Sequence, residues 1–232
     1  MQTNEFLENF KLIEKHINRI GNFPEEKSFQ SKVSELSKNS LIARFQEDLK
    51  SFSNLRNLLS HEPKKNGDYI AKPSDFTVSR IKEIHQLITN PPLVFPKFKF
   101  EVLGAESDDY LNSILMEMNE KSFSQFPVYE NGIVKELINT NTISRWLFSK
   151  LEENGNILSV ESKVADLINH IEFKNNYKFI PKKTNVFEAF DKFKNQIKNE
   201  KRNLDVLFIT ENGKQNEKVE GLITIEDIAE FV

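Results

Sequence analysis

Hydrophobic residues in the first ninety positions recur at intervals of three and four, the spacing that places side chains on one face of an α-helix. The first run consists of Phe6, Phe10, Ile13, Ile17 and Ile20. Three further runs lie within residues 28–36, 41–59 and 78–87. Prolines follow or separate these runs, and proline ends helices. The pattern therefore predicts an all-α bundle of four helices over residues 1–91.

From residue 97 the pattern changes to short apolar strands that alternate with helices. In the first half it predicts strands at 97–102, 126–129 and 133–138, with helices starting at Ser107 or Asp108 and spanning 142–151. In the second half it predicts strands at 177–180, 204–210 and 220–223, a helix capped by Asn185 and a short final helix. Both halves carry a Glu-Asn-Gly turn, and these turns lie 81 residues apart. A tandem β-α-β-β-α repeat, and hence an α+β chain, is predicted.

Composition limits the classes of function. The 232 residues carry 32 basic and 35 acidic side chains, a formal charge of −3 that argues against a protein whose whole surface binds polyanions. There are no cysteines, which excludes disulfides and thiolate metal sites, and no histidine has metal-ligand spacing to another. No signal peptide and no membrane-spanning apolar stretch is recognised, so we expect a soluble cytoplasmic protein without a metal.

The junction of the last strand and the last helix carries Thr224 and Asp227. A threonine followed three residues later by an acidic residue is a helix-capping arrangement, sufficient by itself to explain both residues. The same junction also offers backbone N–H groups and a positive helix end, which suit a phosphate. The sequence leaves a purely structural cap and a ligand site as alternatives.

The repeat resembles a pair of CBS domains, also called a Bateman module, over about residues 92–232. The segment Gly221 to Ile228 matches the family's signature Gly-apolar-apolar-Thr/Ser-x-x-Asp-apolar. Phe126-Pro127-Val128 resembles the second strand of a first domain, and residues 164–168 resemble the entry to a second. The resemblance implies a first domain at 92–160 and a second at 161–232, packed as a pair. It also implies a regulatory ligand: AMP, ADP, ATP or S-adenosylmethionine.

The resemblance also implies roles for individual residues. Asp227 would accept hydrogen bonds from ribose hydroxyls, and Thr224 would contact the ribose or first phosphate, beside the signature residue Gly221. Phe179 and Ile180 would sandwich adenine. The first repeat has Asn139 where the second has Thr224 and Thr142 where it has Asp227, so its site is expected to be degenerate.

A second resemblance lies at the end of the long predicted helix. Arg56-Asn57-Leu58-Leu59-Ser60-His61 resembles the Arg-Asn-x-x-x-His motif of HEPN domains, which are helical bundles. It implies metal-independent RNA cleavage by Arg56 and His61, supported by Asn57, in a dimer that brings two motifs together. The alternative is structural: His61 complements the helix dipole, and Arg56 pairs with an acidic neighbour such as Asp48.

Three functions follow from these observations. The first is a regulatory protein whose CBS pair senses an adenosine ligand and modulates the helical domain. The second is a ligand-gated endoribonuclease, with RNA bound by the helical domain. The third is an interaction protein in which both sites are lost. Both resemblances imply a homodimer.

Overall fold

The computed structural model describes residues 2–61, 69, 71–154, 161–174 and 176–231, with the backbone alone at 61, 152–154 and 230. The described residues form two compact units, 1–92 and 93–232. Helices fill the first unit, and the second combines helices with two three-stranded sheets. The protein therefore has a mixed α+β architecture with a helical N-terminal region.

The described residues of the helical unit form five α-helices and one 3₁₀ turn, and caps explain where several of the helices begin. Ser28 accepts a hydrogen bond from the Ser31 amide, and Ser74 accepts one from the Thr77 amide, each satisfying a backbone donor at a helix start. The helices are α1 (Gln2–Gly21), α2 (Phe29–Glu35), α3 (Ser40–Arg44), α4 (Gln46–His61) and α5 (Asp75–Thr89).

The predicted long helix over 41–59 is two helices, because the chain bends at Phe45 between α3 and α4. The core of this unit is aromatic. Phe10 packs on Phe29 with 4.7 Å between ring centroids, and Phe6 meets Phe52 edge-on at 5.9 Å. Burial of these rings is a main source of the unit's stability. Ile20, predicted to face inward, is instead 40% exposed.

The second unit contains two successive sets of strands and helices. The first set is β1 (Ala105–Glu106), α6 (Leu111–Lys121), β2 (Gln125–Glu130), β3 (Ile133–Asn139) and α7 (Thr140–Asn154). A short helix, α8 (Ala165–Ile168), follows. The second set is β4 (Tyr177–Pro181), α9 (Val186–Glu200), β5 (Val206–Thr210), β6 (Gly221–Ile223) and α10 (Ile225–Ile228).

The two sheets have the same topology. In each, the first strand pairs parallel with the second, and the second pairs antiparallel with the third. A parallel pair needs a crossover connection, and α6 and α9 are those crossovers. The antiparallel pairs are hairpins, and the turn at Gly132 has the positive φ of 74° that glycine adopts without a steric cost.

Each sheet packs its helices on one face, and the two sheets share a cluster on the other. Trp146 is 1% exposed in the core of the first set, and Phe193 is 2% exposed in the core of the second. The shared cluster is formed by Val134, Leu137, Val206 and Phe208. This arrangement exposes the ends of β2, β5 and β6, rather than their faces, to the clefts described below.

Two predicted elements are wrong. Residues 97–102 form no strand. They instead run beside β6 through a bridge from Lys99 to Gly221, and the first strand is the two-residue β1. The following helix starts at Leu111, with Tyr110 as its cap, rather than at Ser107 or Asp108. Asp109 there closes a loop instead by accepting the amide of Glu106 at 2.8 Å.

Candidate functional site

A cleft of about 440 Å³ lies where β6 runs into α10. Thr224, Ile225 and Glu226 form one side of this cleft, which we call the Thr224 cleft. The rest of its wall comes from α9 and from the residues that precede or begin β2 and β5: Ser124, Gln125, Phe193, Ile197, Asn203, Leu204 and Asp205. The volume lies in the range that holds a nucleoside-sized molecule.

Thr224 and Asp227 are joined as the capping arrangement predicts. The Asp227 carboxylate accepts the Thr224 amide at 2.7 Å and the Thr224 hydroxyl at 2.9 Å, both on Oδ2. These bonds fix the Thr224 side chain at the mouth of the cleft and leave its oxygen able to accept a bond from a ligand hydroxyl. Asp227 itself is exposed and is not among the residues that line the cleft. Its role is to position Thr224 through these two hydrogen bonds.

The structure does not bring Phe179 and Ile180 into this cleft. Ile180 is fully buried in the core beside α9, whereas Phe179 lies on the opposite face of β4 and packs on Phe208. Neighbouring residues of a strand point to opposite faces, so the two side chains cannot flank one adenine ring. The apolar walls of the cleft are instead Phe193, Ile197 and Leu204.

Gly221 also lies outside the cleft lining, and its environment gives it a packing role. A Cβ built at this position would overlap the backbone carbonyl oxygen of Phe98. The segment at Phe98 and Lys99 lies against β6 at this point, and the Phe100 amide donates to Glu220 O at 3.3 Å. Glycine is therefore required for close approach of two backbones.

A second cleft of about 270 Å³ lies at the corresponding junction of β3 and α7. The Asn139 side chain there accepts the Thr142 amide at 3.0 Å and the Thr142 hydroxyl at 3.1 Å. Here the first residue of the pair, Asn139, is the acceptor, whereas at the other junction the second residue, Asp227, accepts from Thr224. Both lone pairs of the Asn139 side-chain oxygen are therefore used. We call this the Asn139 cleft.

Asp205 lines both clefts, and the sequence analysis missed it. Its Oδ2 accepts the Asn139 amide at 2.8 Å and the Asn176 amide at 3.0 Å. The 81-residue repeat could have located it, since Asp205 corresponds to Ser124, which lines the Thr224 cleft from the start of β2. Its bonds tie the two halves together at the floor of both clefts.

Basic residues are found in the Asn139 cleft, which Lys201 and Arg202 line. The Arg202 guanidinium carbon lies 3.2 Å from the ring centroid of Phe173, and Nη1 lies 3.5 Å from a Glu172 oxygen. Stacking on Phe173 and pairing with Glu172 hold the Arg202 guanidinium at the Asn139 cleft. Among the described residues, no Lys, Arg or His lines the Thr224 cleft.

In the helical unit, Arg56 donates to the Asn57 side chain at 3.1 Å and lies 5.8 Å from the Phe10 ring centroid. The proposed partner Asp48 is wrong for Arg56, because that carboxylate pairs with Arg80 at 2.9 Å. The side chain of His61 lies outside the described residues. RNA cleavage by Arg56, Asn57 and His61 therefore stays a prediction.

The described residues contain no cluster of His, Asp or Glu side chains that could hold a metal ion. Within the same residues, no helix is both long enough and apolar enough to cross a membrane.

Burial is the main cause that lowers the pKa of His16, with smaller contributions from Arg19 and His85. His16 is half-buried and bonds to Arg19 at 3.0 Å, far along the chain from either cleft.

Comparison with protein families matches residues 164–232 to the CBS domain. These residues therefore form a CBS domain, and they include β4 to β6, α9 and the whole junction at Thr224. Arg56 to His61 lie outside the matched residues. No curated protein matches the chain significantly.

Several solved structures are similar to the chain at low identity. A putative signal-transduction protein with CBS domains from Burkholderia ambifaria is 15% identical over 56% of this chain and 81% of its own, with a TM-score of 0.41. The CBS domain pair of protein MJ0100, in complex with 5′-methylthioadenosine and S-adenosyl-L-methionine, is 14% identical over 60% and 94%, with a TM-score of 0.41. The CBS domain of a bacterial CNNM/CorC family Mg²⁺ transporter, in complex with ATP, is 17% identical over 65% and 92%, with a TM-score of 0.41.

Proposed function

We propose that the chain is a regulatory protein that binds an adenosine ligand in the Thr224 cleft and thereby modulates its helical unit. The observation that carries the proposal is the cleft itself, a nucleoside-sized cavity at the strand-to-helix junction of a CBS domain. Residues 92–160 act in this proposal as a first CBS domain, supported by sheet topology that matches the second. The assembly is proposed to be a homodimer.

The walls of the cleft suit the two parts of an adenosine. Phe193, Ile197 and Leu204 provide an apolar surface against which adenine can be buried. Thr224 and Asp205 provide oxygen acceptors for ribose hydroxyls. The Asn139 cleft is the weaker candidate, because its Asn139 and Thr142 side chains already bond to each other.

Isothermal titration of the full chain with adenosine tests the proposal. We expect one binding event per chain, and Thr224→Val should weaken it about tenfold, since one hydrogen bond to the ligand is lost. Thr89→Val makes the same chemical change on α5, outside the cleft, and should leave the affinity as it is. Absence of heat with adenosine, its thioether or sulfonium derivatives and its nucleotides would remove the proposal.

A further inference from the structure

The described charged residues that line the Thr224 cleft all have one sign. Asp205 and Glu226 line the cleft, and Asp227 lies directly behind Thr224. Asp205 is bonded to two neutral amides, which do not neutralise its charge. Neither Asp205 nor Glu226 forms an ion pair with a described residue.

Basic side chains on the adjoining segments form contacts outside this cleft. Arg202 stacks on Phe173 and pairs with Glu172 in the Asn139 cleft. Lys194, on the same helix as Phe193, lies 3.9 Å from Asp191 and does not line the Thr224 cleft. A phosphate in the cleft would meet carboxylates, and no cation among the described residues that line it.

The start of α10 does not compensate for this charge. The helix has four residues, and its first turn carries Glu226 and Asp227. The Thr224 amide already donates to Asp227 at 2.7 Å, so this donor is not free for a phosphate. The expectation that this helix end receives a phosphate is therefore not supported by its geometry.

We infer that the Thr224 cleft accepts adenosine derivatives that are neutral or positively charged at the 5′ position, and rejects 5′-phosphorylated nucleotides. Like charges brought together in a partly buried site are strongly unfavourable. A thioether or a sulfonium at the 5′ position lacks this repulsion. The inference rests on the proposed adenosine site and specifies which member of that class it binds.

The test compares adenosine with AMP, which differ only in the phosphate, by titration into the full chain at low and high salt. 5′-Methylthioadenosine and S-adenosylmethionine form the neutral and cationic arms. We expect AMP to bind at least about tenfold more weakly than adenosine. The ratio of the AMP dissociation constant to that of adenosine should shrink at high salt, because salt screens charges.

The variant Glu226→Gln removes one of the lining charges and should reduce the AMP-to-adenosine ratio of dissociation constants several-fold. Glu120→Gln makes the same change on an exposed face of α6, outside both clefts, and should leave that ratio unchanged. Equal or tighter binding of AMP would overturn the inference while leaving the proposed adenosine site standing. A ratio insensitive both to salt and to Glu226→Gln would overturn its electrostatic basis. Binding of none of the four ligands would instead contradict the proposed function itself.

Discussion

At the scale of single residues, position 221 of the CBS domain requires glycine, because the Cβ of any other residue would overlap the Phe98 carbonyl oxygen. We expect Gly221→Ala to lower the free energy of unfolding of the second unit by about 3 kcal/mol, the upper part of the range for overpacked sites. Trp146, the single tryptophan and a core residue of this unit, reports the transition by fluorescence in urea. Gly132→Ala is the control: it has open space but a φ of 74°, and should cost about 1 kcal/mol. A cost at Gly221 no larger than that at Gly132 would contradict the packing role.

At the scale of elements, the hairpin between β5 and β6 is held by the Glu217 carboxylate together with the Thr210 hydroxyl, which accepts the Lys214 amide at 3.0 Å. Glu217 accepts the amide of Asn212 at 2.7 Å, the Asn212 side chain at 2.8 Å and the Lys214 amide at 3.3 Å. These bonds, those from Asn212 above all, lower the pKa of Glu217 to about 2. The stabilisation is therefore fully present above the ordinary pKa of about 4.5 and is lost as the pH falls through about 2.

We expect Glu217→Gln to speed hydrogen exchange of the Asn212 amide at neutral pH, because a neutral amide oxygen is a weaker acceptor. The matched control is Glu211→Gln in the same turn, which loses only a surface ion pair with Lys182 and should leave the Asn212 amide protected. Unchanged exchange in Glu217→Gln would show that the hairpin is held by other contacts.

The elements were largely predictable because their signals are local. Asn185 caps α9 as predicted, with its side chain accepting the Glu188 amide at 2.9 Å, and the two Glu-Asn-Gly turns end β2 and β5. The break at Phe45 was not predictable, since the hydrophobic spacing continues through it. Asp205 was missed because its role depends on Asn139, 66 residues away, which only the packed fold brings near. The positions of Phe179 and Ile180 outside the Thr224 cleft lining could not be predicted, because a family resemblance does not determine which strand face lines a cleft.

At the scale of the whole molecule, the chain combines a helical unit with a unit that contains a CBS domain and two related clefts. The clefts differ in a way that the sequence repeat alone does not show. Among the described residues, basic side chains and the mutually bonded Asn139 and Thr142 line the Asn139 cleft, whereas an apolar wall, the Thr224 hydroxyl and acidic charges alone line the Thr224 cleft. The proposal of one ligand site per chain rests on this asymmetry.

The most direct test of that central claim is a ¹H–¹⁵N chemical-shift titration of the full chain with adenosine. We predict that the largest amide shifts occur at residues 224–226, which line the Thr224 cleft and not the Asn139 cleft, with further shifts at residues 203–205 before β5. Shifts confined to residues 139–142 and 171–176, or no shifts in the second unit at saturating adenosine, would contradict the account.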